Sequence, residues 1–283
     1  MKIAYQGEPG AYSEAASLKW CADAEPHACP AFDDVFAAVE NGTVTCGTLP
    51  IENSIGGTIH RNYDLLVTHE RLHIIGEVEL PVSHALVALP GTTIEAITQV
   101  YSHPQALAQC DGFLRTLRGI DVIATYDTAG SAKLIAERQL AGAAAIASAR
   151  AADLFGLCIL RSAIQDFADN ITRFLIVGRM GEAADHGAEP ADKTTIVFSL
   201  PNEAGALFKA LSVFALRDIG LTKLESRPIP GKPWEYLFYA DLDAGAHESR
   251  CARALSHLAE FALSLRTLGS YRQCEHPALH HSR

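Results

Sequence analysis

The segment DNITRFLIV, residues 169–177, joins polar residues directly to an apolar run. Its second half, Phe174 to Val177, predicts a buried strand. Its first half places an amide, a hydroxyl and a guanidinium side by side at the mouth of that strand. Because α/β sheets bind ligands outside their strand ends, Thr172 and Arg173 are candidates for ligand contact. The same two residues would equally suit the end of an ordinary loop, so the choice depends on the rest of the chain.

The residues before this segment alternate short apolar strands with helical patterns. A first strand is predicted at Ile3 to Tyr5. A helix is predicted at 32–39, because its apolar residues Phe32, Val35, Phe36 and Val39 share one face at the 3.6-residue period. A later strand at Cys46 to Ile51 leads through Gly56-Gly57 into another helix. A second run of the same kind starts near Pro81. Its predicted elements are strands at 84–88, 98–101, 122–124 and 144–146 and helices at 105–117, 129–138 and 149–155. This order is typical of parallel α/β sheets, and the return of the chain through residues 169–177 predicts two lobes with a cleft between them.

The periodicity then stops and starts again. Residues 181–192 are rich in Gly, Ala, Asp, Glu, His and Pro, and they predict a linker. From Thr195 onward the pattern reads strand, helix, strand, strand, helix, strand. The predicted strands are at 195–200, 221–227, 234–242 and 264–268, with one helix carrying Leu207, Ala210, Leu211 and Phe214 and the other Cys251, Leu255 and Leu258. This βαββαβ order predicts a ferredoxin-like domain with a core of its own.

Composition excludes several classes of protein. At 283 residues the chain is long for one core, so we expect two or three units. Its formal net charge of -10 leaves no basic stripe for nucleic acid. No apolar run approaches the roughly 20 residues that span a bilayer, and the first residues predict a strand instead of a signal peptide. We therefore expect a soluble, intracellular protein without a nucleic-acid or membrane partner.

The sequence also lacks the usual signatures of metals and nucleotides. Its seven cysteines form no CxxC pair and no Cys/His cluster at zinc-ligand spacing, which predicts reduced thiols in a cytosol-like compartment. Cys110, Cys158 and Cys251 lie in apolar patterns and are predicted to be buried. No GxGxxG, GxxxxGK[ST] or GxSxG motif is present. We expect neither a metal nor a cofactor.

Polar clusters lie at the predicted element ends of the first 180 residues. They are Tyr12-Ser13-Glu14, Glu52-Asn53-Ser54, Ser102-His103-Pro104-Gln105 with Gln109, Asp127-Thr128-Ala129 and Asn170 to Phe174. Ser13 and Asp127 would also serve as helix N-caps. Gln105 and Gln109 share one helix face, and that face begins where a strand turns into a helix, which favours ligand contact.

Together these clusters resemble the motifs of prephenate dehydratases that carry a C-terminal ACT regulatory domain. The matching segments of the first part are GEPGAYSEAA (7–16), LPIENSIGGTI (49–59), SHPQALAQC (102–110), DTAGSA (127–132), AAIASARAADLFGL (144–157) and NITRF (170–174). Those of the second part are GALFKALSVFA (205–215), ESRP (225–228) and LGSY (268–271). The resemblance covers essentially the whole chain except its C-terminal end. The stretch IGGTIHRNYDLL (55–66) is also similar to plant-type relatives that act on arogenate.

The resemblance implies an α/β catalytic domain with two lobes, like those of periplasmic binding proteins, and a ferredoxin-like βαββαβ ACT domain. The expected catalytic domain covers residues 1–180, with lobe 1 at about 1–80 and 161–180 and lobe 2 at about 81–160. The linker at 181–192, the ACT domain at 193–272 and a polar tail at 273–283 complete the expected division.

The resemblance also implies the reaction. A cyclohexadienol loses its ring carboxylate as CO2 and its ring hydroxyl as water, and the ring becomes aromatic. Since aromatisation supplies the driving force, neutral donors in a dry cleft are expected to stabilise the leaving oxygen. The catalytic residues implied are Thr172, Asn53, Ser102, Gln109 and Glu52. The substrate-binding residues implied are Arg173, Phe174, Ser54, Ser13 and Thr128.

Individual roles follow from the chemistry of these side chains. Thr172 is expected to contact or protonate the leaving hydroxyl, as a hydrogen-bond donor or as a general acid. Glu52 could tune the protonation of the site, although its charge would oppose a dianionic substrate. Arg173 is expected either to clamp a carboxylate or to form a structural ion pair.

In the second domain the resemblance implies phenylalanine as an allosteric effector, bound between paired regulatory domains. A helix N-terminus near Gly205 would receive its carboxylate, and Glu225 would suit its ammonium group. The residues implied are Asn202, Gly205, Ala206, Leu207, Glu225 and Ser226. Feedback inhibition would follow if phenylalanine binds one global state better than the other.

Two alternatives to prephenate dehydratase remain open. Arogenate dehydratase would perform the same chemistry on a substrate with an amino-acid side chain. A non-catalytic solute sensor would also use two lobes and an amino-acid-binding domain. We expect a homodimer or homotetramer in the cytoplasm, or in the plastid if a transit peptide has been removed.

Overall fold

The computed structural model of the chain describes residues 1–181, 190–229 and 231–274. Most of the predicted linker and of the predicted tail lies outside these residues, so both stay predictions. The chain divides into two compact units. The first consists of Met1–Tyr63 and Val78–Phe174, and the second consists of Asp64–Glu77 and the chain from Leu175 onward. This division does not coincide with the predicted linker, and the predicted domain boundaries also stay predictions.

Short strands and helices alternate along the chain. The described strands are β1 Lys2–Gln6, β2 Glu25–Cys29, β3 Cys46–Asn53, β4 Gly57–Thr58, β5 Leu72–Pro81, β6 Ala85–Ala88, β7 Gln99–Ser102, β8 Asp121–Ala124, β9 Ala143–Ala147, β10 Cys158–Arg161, β11 Ile171–Arg179, β12 Lys193–Ser199, β13 Leu221–Pro228, β14 Tyr236–Leu242 and β15 Ser264–Tyr271. The described α-helices are α1 Tyr12–Trp20, α2 Phe32–Glu40, α3 His60–Thr68, α4 Pro104–Gln109, α5 Asp111–Leu114, α6 Thr128–Arg138, α7 Ala149–Phe155, α8 Ala206–Ala215 and α9 Ser249–Ala259.

The first sheet has the strand order β2-β1-β3-β11-β5, with β4 paired to β3. β1 pairs in parallel with β2 and β3. Helix α2 buries Val35, Phe36 and Val39, the apolar stripe that the 3.6-residue period predicts. Strand β11 begins at Ile171, before the predicted start at Phe174. Thr172 and Arg173 therefore belong to the strand itself.

The second sheet has the order β10-β6-β9-β7-β8. β9 pairs in parallel with β7 and antiparallel with β6. Its residues are buried on both faces, with Ala145 in one core cluster and Ile146 in the other. The small alanines of β9 let helix α6 pack closely through Ala132 and Ile135. This sheet holds α4 and α6, whose first residues contribute to the site described below.

In the second unit the order β12-α8-β13-β14-α9-β15 forms the predicted βαββαβ fold. Its antiparallel sheet has the order β13-β14-β12-β15. Ile196 and Phe198 pack against Phe214 of α8 and Leu258 of α9 in one apolar core. The fold class predicted from the sequence is confirmed.

Asp64–Glu77 belongs to the second unit because charged contacts bind it there. Lys193 donates to both carboxylate oxygens of Glu77 at 2.8 and 3.0 Å, and both side chains are buried. Arg227 makes a bidentate pair with Asp64. These contacts explain why the division falls inside β5 and β11 instead of at the linker.

Several local predictions were wrong. The helix predicted at 105–117 breaks at Cys110, which ends α4 and precedes α5. Strands β2, β5 and β10 received no prediction. Cys158 is exposed, because β10 is an edge strand, whereas Cys110 and Cys251 are buried as expected.

Candidate active site

The end of β3 and the residue just before β11 meet the C-terminal end of α4 in a ring of side-chain amides. Asn53 Nδ2 donates to Asn170 Oδ1 at 2.7 Å. Asn170 Nδ2 donates to Gln109 Oε1 at 3.0 Å, and Gln109 Nε2 donates to Asn53 Oδ1 at 3.3 Å. Each amide thus donates to the next around a closed ring, and all three side chains are buried. A fully satisfied buried network of this kind is rigid.

The orientation of this ring is fixed by the backbone. The N–H groups of Ile55 and Gly56 both donate to the Asn53 side chain, at 3.1 and 2.7 Å. An NH2 group cannot accept these bonds, so the atom that they reach must be the Asn53 oxygen. Its Nδ2 group consequently faces β11, where it donates to the Thr172 hydroxyl oxygen at 2.9 Å.

The Thr172 hydroxyl is therefore held as an acceptor on one side and remains a donor on the other. Thr172 is buried and lines a cavity of about 530 Å³. Within the described part of the chain, the structure gives its hydroxyl hydrogen no protein acceptor. The hydrogen is consequently available to a ligand in the cavity. The volume lies in the roughly 300–1,000 Å³ range of small-molecule sites.

The same reasoning assigns the protons of His84. Because Gln109 Nε2 faces Asn53, Gln109 Oε1 faces His84 Nε2 at 3.0 Å, and the histidine nitrogen must carry the hydrogen. Tyr12 donates to the Ser83 carbonyl at 2.6 Å and lies 3.3 Å from His84 Nδ1. Burial lowers the pKa of His84, while the contact with Gln109 raises it. His84 is thus a neutral member of the cavity wall.

Asp127 combines structure with cavity lining. Its Oδ1 accepts the N–H groups of Ala129 and Gly130 at 2.7 and 3.1 Å, which makes it the predicted N-cap of α6. Its Oδ2 accepts the Glu8 N–H at 3.3 Å. Burial raises the pKa of Asp127, and these N–H groups lower it. Both carboxylate oxygens of Asp127 therefore already accept hydrogen bonds from backbone N–H groups.

The cavity is framed by the first residues of several helices. Lining residues include Ser13 of α1, Phe32 of α2, Arg61 of α3, Gln105 of α4 and Thr128 of α6. Each helix start carries a partial positive charge and N–H groups without intrahelical partners. Alanine precedes α1 and α2 and cannot supply a side-chain cap. The carboxylate of Asp127 already occupies the start of α6, so the starts of α1 and α2 are the ones that favour a small anion.

Six of the predicted residues line the cavity. They are Thr172, Asn53, Gln109, Phe174, Ser13 and Thr128. Their roles toward a substrate stay predictions, but the structure brings them to one cavity wall.

Four other predicted residues do not line it. Arg173 donates to Glu52 at 3.0 Å, so these two form the structural ion pair that the sequence left open. The reason is the two-residue period of a strand, which turns Arg173 away from the face of Thr172 and Phe174. Ser102 is fully buried and donates to the Ile146 carbonyl at 2.7 Å. Ser54 donates to Asp169 O and accepts from Ile171 N, which joins β3 to the start of β11.

The sequence did not indicate several residues that the cavity uses. His84 opens an apolar strand pattern, and nothing there signals a polar role. Asp33 and Arg61 lie in the first turns of separate helices and form an ion pair of 2.6 Å on the cavity wall. His103 and Tyr12 were parts of predicted clusters without assigned roles. Burial lowers the pKa of His103, and Asp127 raises it.

The predicted effector residues lie in the second unit. Gly205 precedes α8 with φ of +80°, a conformation that glycine adopts without strain. Asn202 is exposed, and Ala206 and Leu207 form the first turn of α8. Glu225 and Ser226 lie on the edge strand β13, where Glu225 pairs with Lys223 at 3.1 Å.

Two further observations concern metals and membranes. The described residues contain no group of three or more His, Cys, Asp or Glu side chains placed to hold a metal ion. Among them, no helix combines the length and apolar character needed to cross a bilayer.

Residues 3–182 match the family described as prephenate dehydratase. An Arabidopsis thaliana protein named arogenate dehydratase/prephenate dehydratase 2, chloroplastic, is 51% identical over 280 residues, which cover 96% of this chain and 72% of the relative. The crystal structure of prephenate dehydratase in complex with L-Phe from Arthrobacter aurescens has a TM-score of 0.87 at 35% identity and covers 96% of this chain and 90% of that one. A structure described as GqqA, a novel type of quorum quenching acylase, also gives 0.87 at 35% identity and covers 97% of this chain and 98% of that one.

Proposed function

The chain belongs to the prephenate dehydratase family, and we propose that it converts prephenate, or its amino-acid counterpart arogenate, into the aromatic product, with Thr172 as the donor to the leaving oxygen. The family consists of hydro-lyases, so the chain is an enzyme and not the non-catalytic sensor considered as an alternative. The observation that carries the proposal for Thr172 is its hydroxyl, which accepts from Asn53 and keeps its hydrogen for the cavity.

The reaction requires little covalent chemistry from the protein. The bond from the ring to its carboxylate breaks, and its electron pair moves through the diene as the bond to the ring hydroxyl breaks on the opposite side. CO2 and hydroxide leave, and one proton converts the hydroxide to water. For prephenate the balance is one dianion and one proton in, and one phenylpyruvate anion, CO2 and water out. The protein has to orient the ring and stabilise the departing oxygen.

Thr172 is placed to stabilise the departing oxygen. Its hydrogen-bond donor is preorganised, because the amide ring and two backbone N–H groups hold the Asn53 amide against its oxygen. Both partners are buried, so solvent reaches this hydroxyl only through the cavity that the substrate would fill. A preorganised donor at a developing oxyanion is worth about 3–4 kcal/mol of barrier.

The helix starts around the cavity are placed to orient the substrate. A substrate of this class carries two carboxylates, and helix N-termini bind carboxylates through N–H groups and partial positive charge. Ser13 and Thr128 add hydroxyl donors at two of these starts. Phe174 supplies an apolar contact for the ring. Such a frame holds a dianion with few fixed cations. Additional cations near the ring carboxylate would stabilise it and oppose its loss as CO2.

The second domain is proposed to bind phenylalanine as a feedback effector. The relative from Arthrobacter aurescens was solved in complex with L-Phe, which supports an amino-acid site in this family. In this chain the turn at Asn202, Gly205, Ala206 and Leu207 offers a helix start for the carboxylate, and Glu225 with Ser226 offers acceptors for the ammonium group. We propose that two regulatory domains pair to complete the site, as a dimer or tetramer.

The compartment stays a prediction. Free thiols favour a reducing compartment, and the cysteines of the described residues form no disulfide. The Arabidopsis relative is named chloroplastic, which is consistent with the plastid alternative.

The test is turnover by the purified full chain on prephenate and on arogenate, each with and without phenylalanine. Formation of phenylpyruvate or phenylalanine, suppressed by added phenylalanine, is the expected result. A folded protein that turns over neither substrate would contradict the proposed function. Turnover that phenylalanine does not change would contradict only the proposed regulation.

A further inference from the structure

An ion pair stands on the wall of the cavity, and the reaction itself does not need it. Arg61, in the first turn of α3, donates to Asp33, in the first turn of α2, at 2.6 Å. Both residues line the cavity that contains Thr172. Their side chains are 59% and 56% exposed, whereas Thr172 and Asn53 are 8% and 6% exposed. The cavity therefore has a buried end at Thr172 and a solvent-exposed end at the ion pair.

The charges of the wall are unevenly distributed. Among the described residues that line the cavity, Arg61 carries the one permanent positive charge. Burial lowers the pKa values of His84 and His103, so neither adds a cation near neutral pH. Asp33 and Asp127 are the described carboxylates of the lining, and both oxygens of Asp127 accept backbone N–H groups. Asp33 is thus the carboxylate of the exposed end.

The shape of the substrate places its side chain at that end. In both candidate substrates the ring hydroxyl and the side chain occupy opposite positions of the six-membered ring. If the hydroxyl lies against Thr172 at the buried end, the side chain extends toward Asp33 and Arg61. The orientation rests on the proposed function, since it uses Thr172 as the donor to the leaving oxygen.

The two substrates differ only in that side chain. Arogenate ends in an ammonium group and a carboxylate on one carbon, and prephenate ends in a keto group and a carboxylate. An acid and a guanidinium side by side match the first arrangement, because each charge of the amino acid meets its opposite. Against prephenate, Asp33 would face a keto oxygen and add repulsion to a more negative substrate.

We propose that Asp33 is a specificity-determining residue that binds the ammonium group of arogenate while Arg61 binds the adjacent carboxylate. The ion pair thereby selects the amino-acid substrate over the keto acid. Because the pair is exposed, its two side chains can move apart to admit the ligand at little cost. Specificity arises both from the contact with arogenate and from the repulsion of prephenate.

The test compares kcat/KM on arogenate and on prephenate for the full chain and three variants. Asp33→Asn removes the charge at the cavity. Asp34→Asn is the matched control, because it removes the same charge from the same helical turn. The Asp34 side chain accepts the Ala31 N–H and does not line the cavity. Arg61→Gln removes the partner that both substrates are expected to use. Thermal melting of each variant establishes that the exposed substitutions leave the fold intact.

We expect the wild type to prefer arogenate. Asp33→Asn should lower the ratio of kcat/KM on arogenate to that on prephenate about tenfold, as expected for a lost charge-assisted hydrogen bond. Asp34→Asn should leave the ratio unchanged, and Arg61→Gln should lower kcat/KM on both substrates. Activity on prephenate with none on arogenate, or an unchanged ratio in Asp33→Asn, would overturn this inference while the proposed function stands. A folded wild type inactive on both would overturn the inference and the proposed function together.

Discussion

The side-chain amide of Asn53 donates to the hydroxyl oxygen of Thr172 across 2.9 Å. Two backbone N–H groups, from Ile55 and Gly56, fix the direction of this bond, because they require the Asn53 oxygen on their side. The polarity of the bond decides what Thr172 can do. As an acceptor from Asn53, it keeps its own hydrogen for the cavity and for a departing oxygen.

Reversing this polarity should abolish most of the activity. In Asn53→Asp one oxygen still accepts from Ile55 and Gly56, but the other faces Thr172 and takes the hydrogen of its hydroxyl. We expect kcat to fall about a hundredfold or more, because the donor to the leaving oxygen is lost. Steady-state kinetics on the better substrate measures the change.

The same variant should be less stable, because the new oxygen also faces the acceptors Asn170 Oδ1 and Ile171 O. A loss of about 1–3 kcal/mol in the free energy of unfolding is expected. An Asn53→Asp protein that folds and retains the kcat of the wild type would refute the assigned direction of the bond.

Stability should depend on pH through His84. Burial holds the pKa of this imidazole below its ordinary value of 6.5 in the folded state. The unfolded chain therefore binds the proton more readily than the native protein does. The stability that the neutral His84 contributes is fully present above about pH 6.5 and is lost as the pH falls through the lowered pKa.

Denaturant unfolding at pH 7.5, 6.5 and 5.5 would measure this loss. His84→Gln should be less stable at pH 7.5 and should lose less of its remaining stability on acidification. His257→Gln, at an exposed position of α9, is the matched control for the loss of a histidine. Identical pH dependence in the wild type and in His84→Gln would show that His84 does not titrate as described.

Arg173 should matter for stability and not for substrate binding. Its side chain is 11% exposed and pairs with Glu52, which is 37% exposed. Arg173→Gln should lower the free energy of unfolding by about 1–2 kcal/mol, less than for a fully buried pair because Glu52 stays partly solvated. KM for the substrate should not change. A large rise in KM without loss of stability would instead favour Arg173 as the carboxylate clamp.

The sequence predicted the order of elements well where periodicity is strong. The helical stripe of α2 and the βαββαβ domain both formed as expected, because each buries one apolar face in a local core. Strand β2 was missed, since EPHAC is polar and lies at a sheet edge. Strand β5 and the segment Asp64–Glu77 depend on partners far along the chain, such as Lys193, and local patterns do not contain that information.

The site was also predictable only where its residues belong to local sequence motifs. Thr172, Asn53 and Gln109 came from motifs, and the structure brings them together. That Arg173 faces away from Thr172 could have been predicted from the strand period alone, since neighbours on a strand face opposite sides. His84 and the pair of Asp33 with Arg61 could not be predicted, because residues that meet only through the tertiary fold leave no local pattern.

The central claim is that the Thr172 hydroxyl donates to the leaving oxygen, and the kcat values of Thr172→Val and Thr172→Ser test it most directly. Valine keeps the shape of threonine and removes the hydroxyl, whereas serine keeps the hydroxyl and loses a methyl group. We expect Thr172→Val to lose about 10²–10³ in kcat with the fold intact, and Thr172→Ser to retain most of the activity. A folded Thr172→Val enzyme with the kcat of the wild type would contradict the account.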